Sequence, residues 1–191
     1  MQAETVVAPL IEQLRDAVRL GEVSAITGRI KDTLESFIPS EGLIFPERFH
    51  RVKPDGYSRR LLYRDPELGF TALVMTWAPG QRTALHDHAG IWCVEGVLEG
   101  EMAVQRFEML EEPAPGVFRF AGREVLGATA GSAGALIPPL EHHILSNPGK
   151  DRVSLTLHVY GGEMDHCTVF EPVDEQAGLY RSQVKTLCYD E

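Results

Sequence analysis

The sequence predicts a mainly β protein, an antiparallel sandwich or barrel with a small helical part at its N-terminus. Three observations carry this. From about Tyr57 onward, short runs rich in Val, Leu, Phe, Tyr and Thr are punctuated by Gly and Pro, the pattern of many strands with little helix between them. Before that, apolar residues recur at helical spacing. Finally, 18 Gly and 12 Pro in 191 residues suit a turn-rich chain better than a helical bundle.

In chain order, Val6, Leu10, Ile11, Leu14 and Val18 form the stripe of a first helix, and Gly21 is its stop. Ile26, Ile30, Leu34 and Phe37 repeat the stripe, and Pro39 ends it. The charged residues between the stripes read as a solvated face. Strands are expected over 70–77, 91–97, 101–107, 117–120, 135–137 and 152–160. Leu98-Glu99-Gly100-Glu101 reads as a hairpin turn and Glu111 to Gly116 as a loop. No internal repeat, low-complexity tract or linker stands out. The expectation is one domain over residues 1–191, with a helical part at 1–45 and a barrel at 57–191.

Composition narrows the function. A hydrophobic share of 43% supports a real core. The 18 basic and 28 acidic residues sum to −10, which disfavours nucleic acid and anionic membrane surfaces as partners. No apolar run approaches the roughly 18 residues of a membrane span, and Met1-Gln2-Ala3-Glu4-Thr5 lacks the order of a secretion signal. Three widely spaced cysteines, Cys93, Cys167 and Cys188, argue against a disulfide framework and fit a reducing cytoplasm. A cytoplasmic monomer is expected, and Cys167 and Cys188 read as ordinary thiols.

His86-Asp87-His88 is the first chemical signal. On a strand, residues i and i+2 share a face, so both imidazoles point one way and Asp87 the other. Alone, such a pair arises often by chance. Here it sits in Gly80-x5-His86-x-His88-x4-Cys93-x6-Gly100, and His143 precedes Asn147 by four positions. The first stretch resembles the first cupin motif, with Cys93 where a Glu is usual. The second resembles the His-x3-Asn end of the other cupin motif, with Pro138 before it and Leu140 in place of its glycine. The resemblance implies a cupin-type antiparallel β-barrel holding a metal near its mouth. His142 competes with His143 as third ligand, and the Asn147 spacing favours His143. The bland reading of His142 is a surface or rim histidine. Three neutral imidazoles leave the cation its full charge and open positions, and such a set suits zinc as well as iron.

Thr156, His158 and Tyr160 alternate along one strand and share the face that looks into the barrel. Such a polar set is costly unless it is hydrogen-bonded. Tyr57 and Arg59 alternate similarly. An inward arginine beside a metal is a carboxylate clamp, because its planar fork donates to both oxygens. Arg60, on the opposite face, is expected to be solvent-exposed.

Tyr57-Ser58-Arg59, Trp77, His86-Asp87-His88, Cys93, His143-x3-Asn147, Leu157-His158-Val159-Tyr160 and Asp165-x-Cys167 together resemble the cysteine dioxygenase family of thiol dioxygenases, in order and in spacing. The resemblance covers about residues 57–170. It implies that His86, His88 and His143 hold Fe(II), that Arg59 binds the substrate carboxylate, and that Tyr57 helps form that pocket. It also implies that Tyr160 leans over the metal, that His158 and Thr156 orient its hydroxyl, and that Cys93 lies beside Tyr160. In animal-type members the Cys–Tyr pair forms a thioether. Trp77 is expected to be core packing.

The implied reaction takes L-cysteine and O2 to cysteine sulfinate. Relatives that prefer 3-mercaptopropionate tend to carry Gln at the Arg59 position and Gly at the Cys93 position, and draw their clamp from an arginine after the tyrosine. Here residues 161–166 contain no arginine, which favours cysteine. Glu163 and Asp165 could pair with a substrate amine or face water. The alternatives are a dioxygenase for another small thiol acid, another cupin enzyme, or a non-catalytic cupin module that binds a small molecule.

Overall fold

Strands β2 (Thr71–Trp77) and β9 (Ser154–Tyr160) are buried along their whole length, a state that requires cover on both faces. The computed structural model describes residues 2–39 and 45–191, with side chains from Val7 onward. The Val6 side chain and residues 40–44 of the expected helical part therefore lie outside the described residues. In one sheet, β1 (Ser58–Arg64), β2, β9, β4 (Cys93–Glu99) and β7 (Ala133–Leu136) lie side by side. The other six strands close into a ring. They are β3 (Leu85–His86), β10 (His166–Asp174), β11 (Leu179–Thr186), β6 (Val117–Thr129), β5 (Glu101–Ala114) and β8 (His143–Ser146). All the pairings are antiparallel. The mainly β, antiparallel fold expected from the sequence is the one observed.

Helices α1 (Gln2–Val18) and α2 (Val23–Phe37) cover the outer face of the five-stranded sheet. Leu10, Leu14, Ile30 and Leu34 pack there against Ala72, Val74, Val94, Leu155, Leu157 and Val159. Gly21, at φ +81°, ends the first helix as expected. Arg15 on α1 pairs with Asp65 and Glu67 in the turn between β1 and β2, fixing the helix to the sheet.

Three local expectations are corrected. Gly100, at φ +76°, makes a turn but not a hairpin, because β4 pairs with β7 and β9 whereas β5 pairs with β6 and β8. The chain crosses between sheets there, and a Cβ on Gly100 would stand 3.0 Å from the Val153 carbonyl. Residues 111–114 continue β5 rather than looping. The register shifts between the pairs Glu111–Arg119 and Ala114–Val117, so Pro113 falls where no ladder bond is lost. Strand β3 ends at His86, so His88 lies in the turn beyond it.

Candidate metal centre

His86 and His143 are opposite one another across β3 and β8. His88 joins them because the chain turns sharply after it, with Ala89 at φ +52°. Asp87 points away and holds that turn. Its Oδ1 accepts the Ala89 N–H at 3.1 Å and the Thr168 N–H at 2.7 Å. The three rings stand 4.6, 5.1 and 5.2 Å apart, centroid to centroid, and one ligand atom from each lies within 4.8 Å of the others.

Every Nδ1 of the three is committed to an acceptor. His86 meets the Ala84 carbonyl at 3.0 Å, His143 the Glu141 carbonyl at 2.9 Å, and His88 the Glu141 carboxylate at 3.0 Å. Those partners place the proton on Nδ1 and leave Nε2 as a lone pair. Burial, then the neighbouring imidazoles, holds His143 well below the usual histidine range, which keeps it neutral and ligand-competent. His143 Nε2 is buried without a hydrogen-bond partner. A divalent cation fits this donor set and supplies the missing partner. Glu141, not foreseen from the sequence, also accepts the His88 backbone N–H at 2.8 Å. The one signal for it was an acidic residue immediately before the His142-His143 pair.

His142 faces away, as the spacing argument expected, but it is not at the rim. It is buried, its ring 5.1 Å from Phe120 and 5.5 Å from Phe170. The six-stranded ring keeps an aromatic core of its own on that side, and His142, just ahead of β8 with its carbonyl held by the Phe107 N–H, points into it.

The five-stranded sheet supplies the other wall. Cys93 on β4 is directly opposite Tyr160 on β9, and Glu95 is opposite His158. Burial pushes both the Cys93 thiol and the Tyr160 phenol well above their usual ranges, so both stay protonated. Trp77 Nε1 donates to Thr156 Oγ1 at 2.9 Å, and Thr156 Oγ1 meets His158 Nε2 at 2.8 Å. Tyr57 stacks on Trp77 at 4.4 Å. Trp77 is therefore part of the site's hydrogen-bond chain as well as core packing. The His158 and Tyr160 rings are near parallel at 6.0 Å.

Arg59 is buried. Its Nη1 donates to the Cys188 carbonyl at 3.2 Å and its Nη2 to the Met164 carbonyl at 2.8 Å. Among the described residues no carboxylate pairs with the guanidinium, so its charge reaches the cavity unneutralised. Arg60, expected in solvent, is also buried and donates to Ser58 Oγ, Thr76 Oγ1 and the Glu191 carbonyl. The 3-10 turn Glu47–His50 packs over that end of the sheet, where Thr76 Oγ1 donates to the Phe49 carbonyl. Glu163 is occupied by Arg64 and the Tyr189 hydroxyl, and Asp165 by His166.

One carboxyl intrudes on this wall. Glu95 Oε2 is buried without a hydrogen-bond partner, 3.7 Å from His143 Nε2 and 3.5 Å from His158 Nδ1. Its place follows from alternation with Cys93 along β4. His86, His88, His143, Glu95, His158, Tyr160, Tyr57 and Arg59 all line one cavity of about 80 Å³. No helix among the described residues is long and apolar enough to cross a membrane.

Solved structures similar to this chain include three proteins. An uncharacterized conserved protein with a double-stranded β-helix domain from Klebsiella pneumoniae subsp. pneumoniae is 17% identical over 75% of this chain and 99% of that one, at TM-score 0.47. A cupin 2 domain-containing protein from Halorhodospira halophila is 18% identical over 65% and 75%, at TM-score 0.46. An oxalate oxidase in complex with the substrate analogue glycolate is 22% identical over 58% and 53%, at TM-score 0.42. The family model described as cysteine dioxygenase type I matches residues 1–173. With that match over most of its length, the chain belongs to the cysteine dioxygenase type I family.

Proposed function

We propose that this protein is a non-haem iron thiol dioxygenase that converts L-cysteine and O2 to cysteine sulfinate. The observation that carries the reading is the juxtaposition, in one small cavity, of three imidazoles with free Nε2 lone pairs and an arginine without an anionic partner. A ligand with a thiolate at one end and a carboxylate at the other answers both.

His86, His88 and His143 would hold the iron, which when bound supplies a common attachment point for thiolate and dioxygen. The rest of the work falls to side chains. Arg59 takes the carboxylate in its planar fork, and the neighbouring Tyr57 ring closes that end. Tyr160 keeps its proton because burial disfavours the phenolate, so its hydroxyl is a hydrogen-bond donor to whatever binds beside it. His158, anchored through Thr156 to Trp77, is the positioning residue of the inner wall. The sulfur supplies the electrons, so no separate reductant takes part.

Oxygen-electrode measurements with protein, Fe(II) and L-cysteine should show thiol-dependent O2 uptake with cysteine sulfinate as product. Uptake with 3-mercaptopropionate and none with cysteine would move the substrate assignment to thiol acids without an amine. Cys93 and Tyr160, being cross-strand neighbours, should form a partial thioether during turnover. Dioxygen is the oxidant: the thiol and one ring position each lose a hydrogen, and the two leave with dioxygen as hydrogen peroxide. Intact mass before and after incubation with iron, cysteine and air should fall by those two hydrogens in part of the population. An unchanged mass in fully active protein removes the cross-link and leaves the dioxygenase reading standing.

A further inference from the structure

Both ends of Arg59 are tied to one short segment. Residues 187–191 lie beyond the family match, which ends at residue 173, yet they reach the cavity. The segment follows β11 and is fastened at its start, where the Leu187 N–H donates to the Asp165 carbonyl at 2.7 Å and the Leu187 side chain lines the metal cavity. It then meets β1, the edge strand of the five-stranded sheet. An edge strand presents main-chain groups that need partners, and at Arg59 a single residue answers both. The Asp190 N–H donates to the Arg59 carbonyl at 2.7 Å, and Asp190 Oδ2 accepts the Arg59 N–H at 2.8 Å. The other carboxylate oxygen accepts from Lys53 Nζ at 2.6 Å. Just before, the Cys188 carbonyl accepts from Arg59 Nη1, and the Tyr189 ring lies 5.6 Å from the guanidinium carbon.

A long, flexible side chain loses rotamer freedom when it is held in one place. A clamp ordered before its ligand arrives spares the ligand that cost. The carbonyls of Cys188 and Met164 take one guanidinium donor each, so other N–H donors of the fork remain for a ligand. Asp190 does not line the cavity, and its reach into the chemistry is through Arg59. Resting on the thiol dioxygenase reading, we infer that Asp190 is a positioning residue for recognition of the substrate carboxylate, anchoring residues 188–190 against β1 so that the Arg59 fork is presented to the cavity already ordered.

The test reads binding without turnover. Protein loaded with cobalt(II) under anaerobic conditions is titrated with L-cysteine and with cysteamine, the same amino thiol without the carboxylate. The thiolate-to-cobalt absorption reports each dissociation constant. Wild type should bind cysteine tighter by about tenfold or more, the order of one charged hydrogen bond. Asp190→Ala should weaken cysteine by about tenfold and leave cysteamine and cobalt affinity within about twofold. In an Arg59→Ala background the same substitution should change cysteine binding by less than about twofold, because the two residues act as one unit. Asp190→Asn keeps an acceptor for the Arg59 N–H but sets an amide against Lys53, and should weaken cysteine alone by about two- to fivefold. It carries the same comparison if the alanine variant does not fold. Equal weakening of both thiols, unchanged cysteine binding, or losses that add to those of Arg59→Ala each overturn the inference. So does a wild type that binds both thiols alike. A wild type that gives the absorption with neither thiol overturns the thiol dioxygenase reading itself, and this inference with it.

Discussion

The two faces of strand β9 are built from the same backbone and reach the same depth, yet they are held by different physics. Leu155, Leu157 and Val159 look outward to the helices, and Thr156, His158 and Tyr160 look inward to the cavity. All six are at most 3% exposed. The outward set is satisfied by burial alone. The inward set needs partners, and the adjoining residues Glu95 and His143 retain atoms that have none. One face is finished when the chain folds, and the other is finished only when something binds.

This contrast can be broken from either side. Arg59→Ala should weaken substrate binding by about 2–5 kcal/mol, since the clamp is buried and its substrate partner is an anion. The rise should appear in KM of the folded protein, and an unchanged KM would show that another cation binds the carboxylate. Leu157→Ala, on the opposite face of the same strand, should cost about 2–5 kcal/mol of stability in a denaturant titration. Activity per folded molecule should stay near wild type. A loss of turnover larger than the loss of folded protein would show that the faces are coupled.

Glu141→Gln should lower metal affinity by about 10- to 100-fold, because the carboxylate that orients His88 becomes a neutral amide. A chelator competition experiment measures this. The backbone carbonyl of the same residue still holds His143, so the site should weaken without disappearing.

The smallest effect is in the pH dependence of the metal-free protein. His158 is lowered to about 3 by burial and then by His88, and His143 is lowered well below its usual value. Unfolding frees both to take up protons near the ordinary value of about 6.5. The unfolded state then binds more protons, so stability falls as pH drops below that value and levels off near the folded values. Glu95, raised to about 8, acts the other way, its contribution falling as pH rises from the carboxylate range. It is one group against at least three, since His86 is also lowered to about 3, by burial and then by His88. Melting temperatures from pH 7.5 to 4.5 should therefore decline, and more shallowly in His158→Gln. A curve that is flat or rising toward acid would sink this account.

Alternation made much of the inner wall legible. The period-two rule placed Thr156, His158 and Tyr160 on one face and Arg59 on the same side as Tyr57. Partners set by long-range pairing were not legible. Nothing local to Glu141 announces that it meets His88, fifty-three positions away. Arg60 reads as exposed because the period gives its face and not what covers that face, here the turn at Glu47–His50. Gly100 reads as a hairpin because a tight turn looks the same whether the next strand returns or changes sheet. Glu95 was visible as Cys93's neighbour but plain as a residue.

The six-stranded ring is thinnest at β3, two residues long. Just before it, Arg82 bridges to Ser146 and Thr83 bonds to Leu145, and its own ladder pair with β8 is His86–His143. Those same two side chains offer their lone pairs to one ion. A cation seated there would rivet the narrowest seam of the wall as well as serve the chemistry. Stripping it should loosen the fold first at this joint, with backbone amide exchange quickening around Leu85 and Ile144 before it does in β2 or β9.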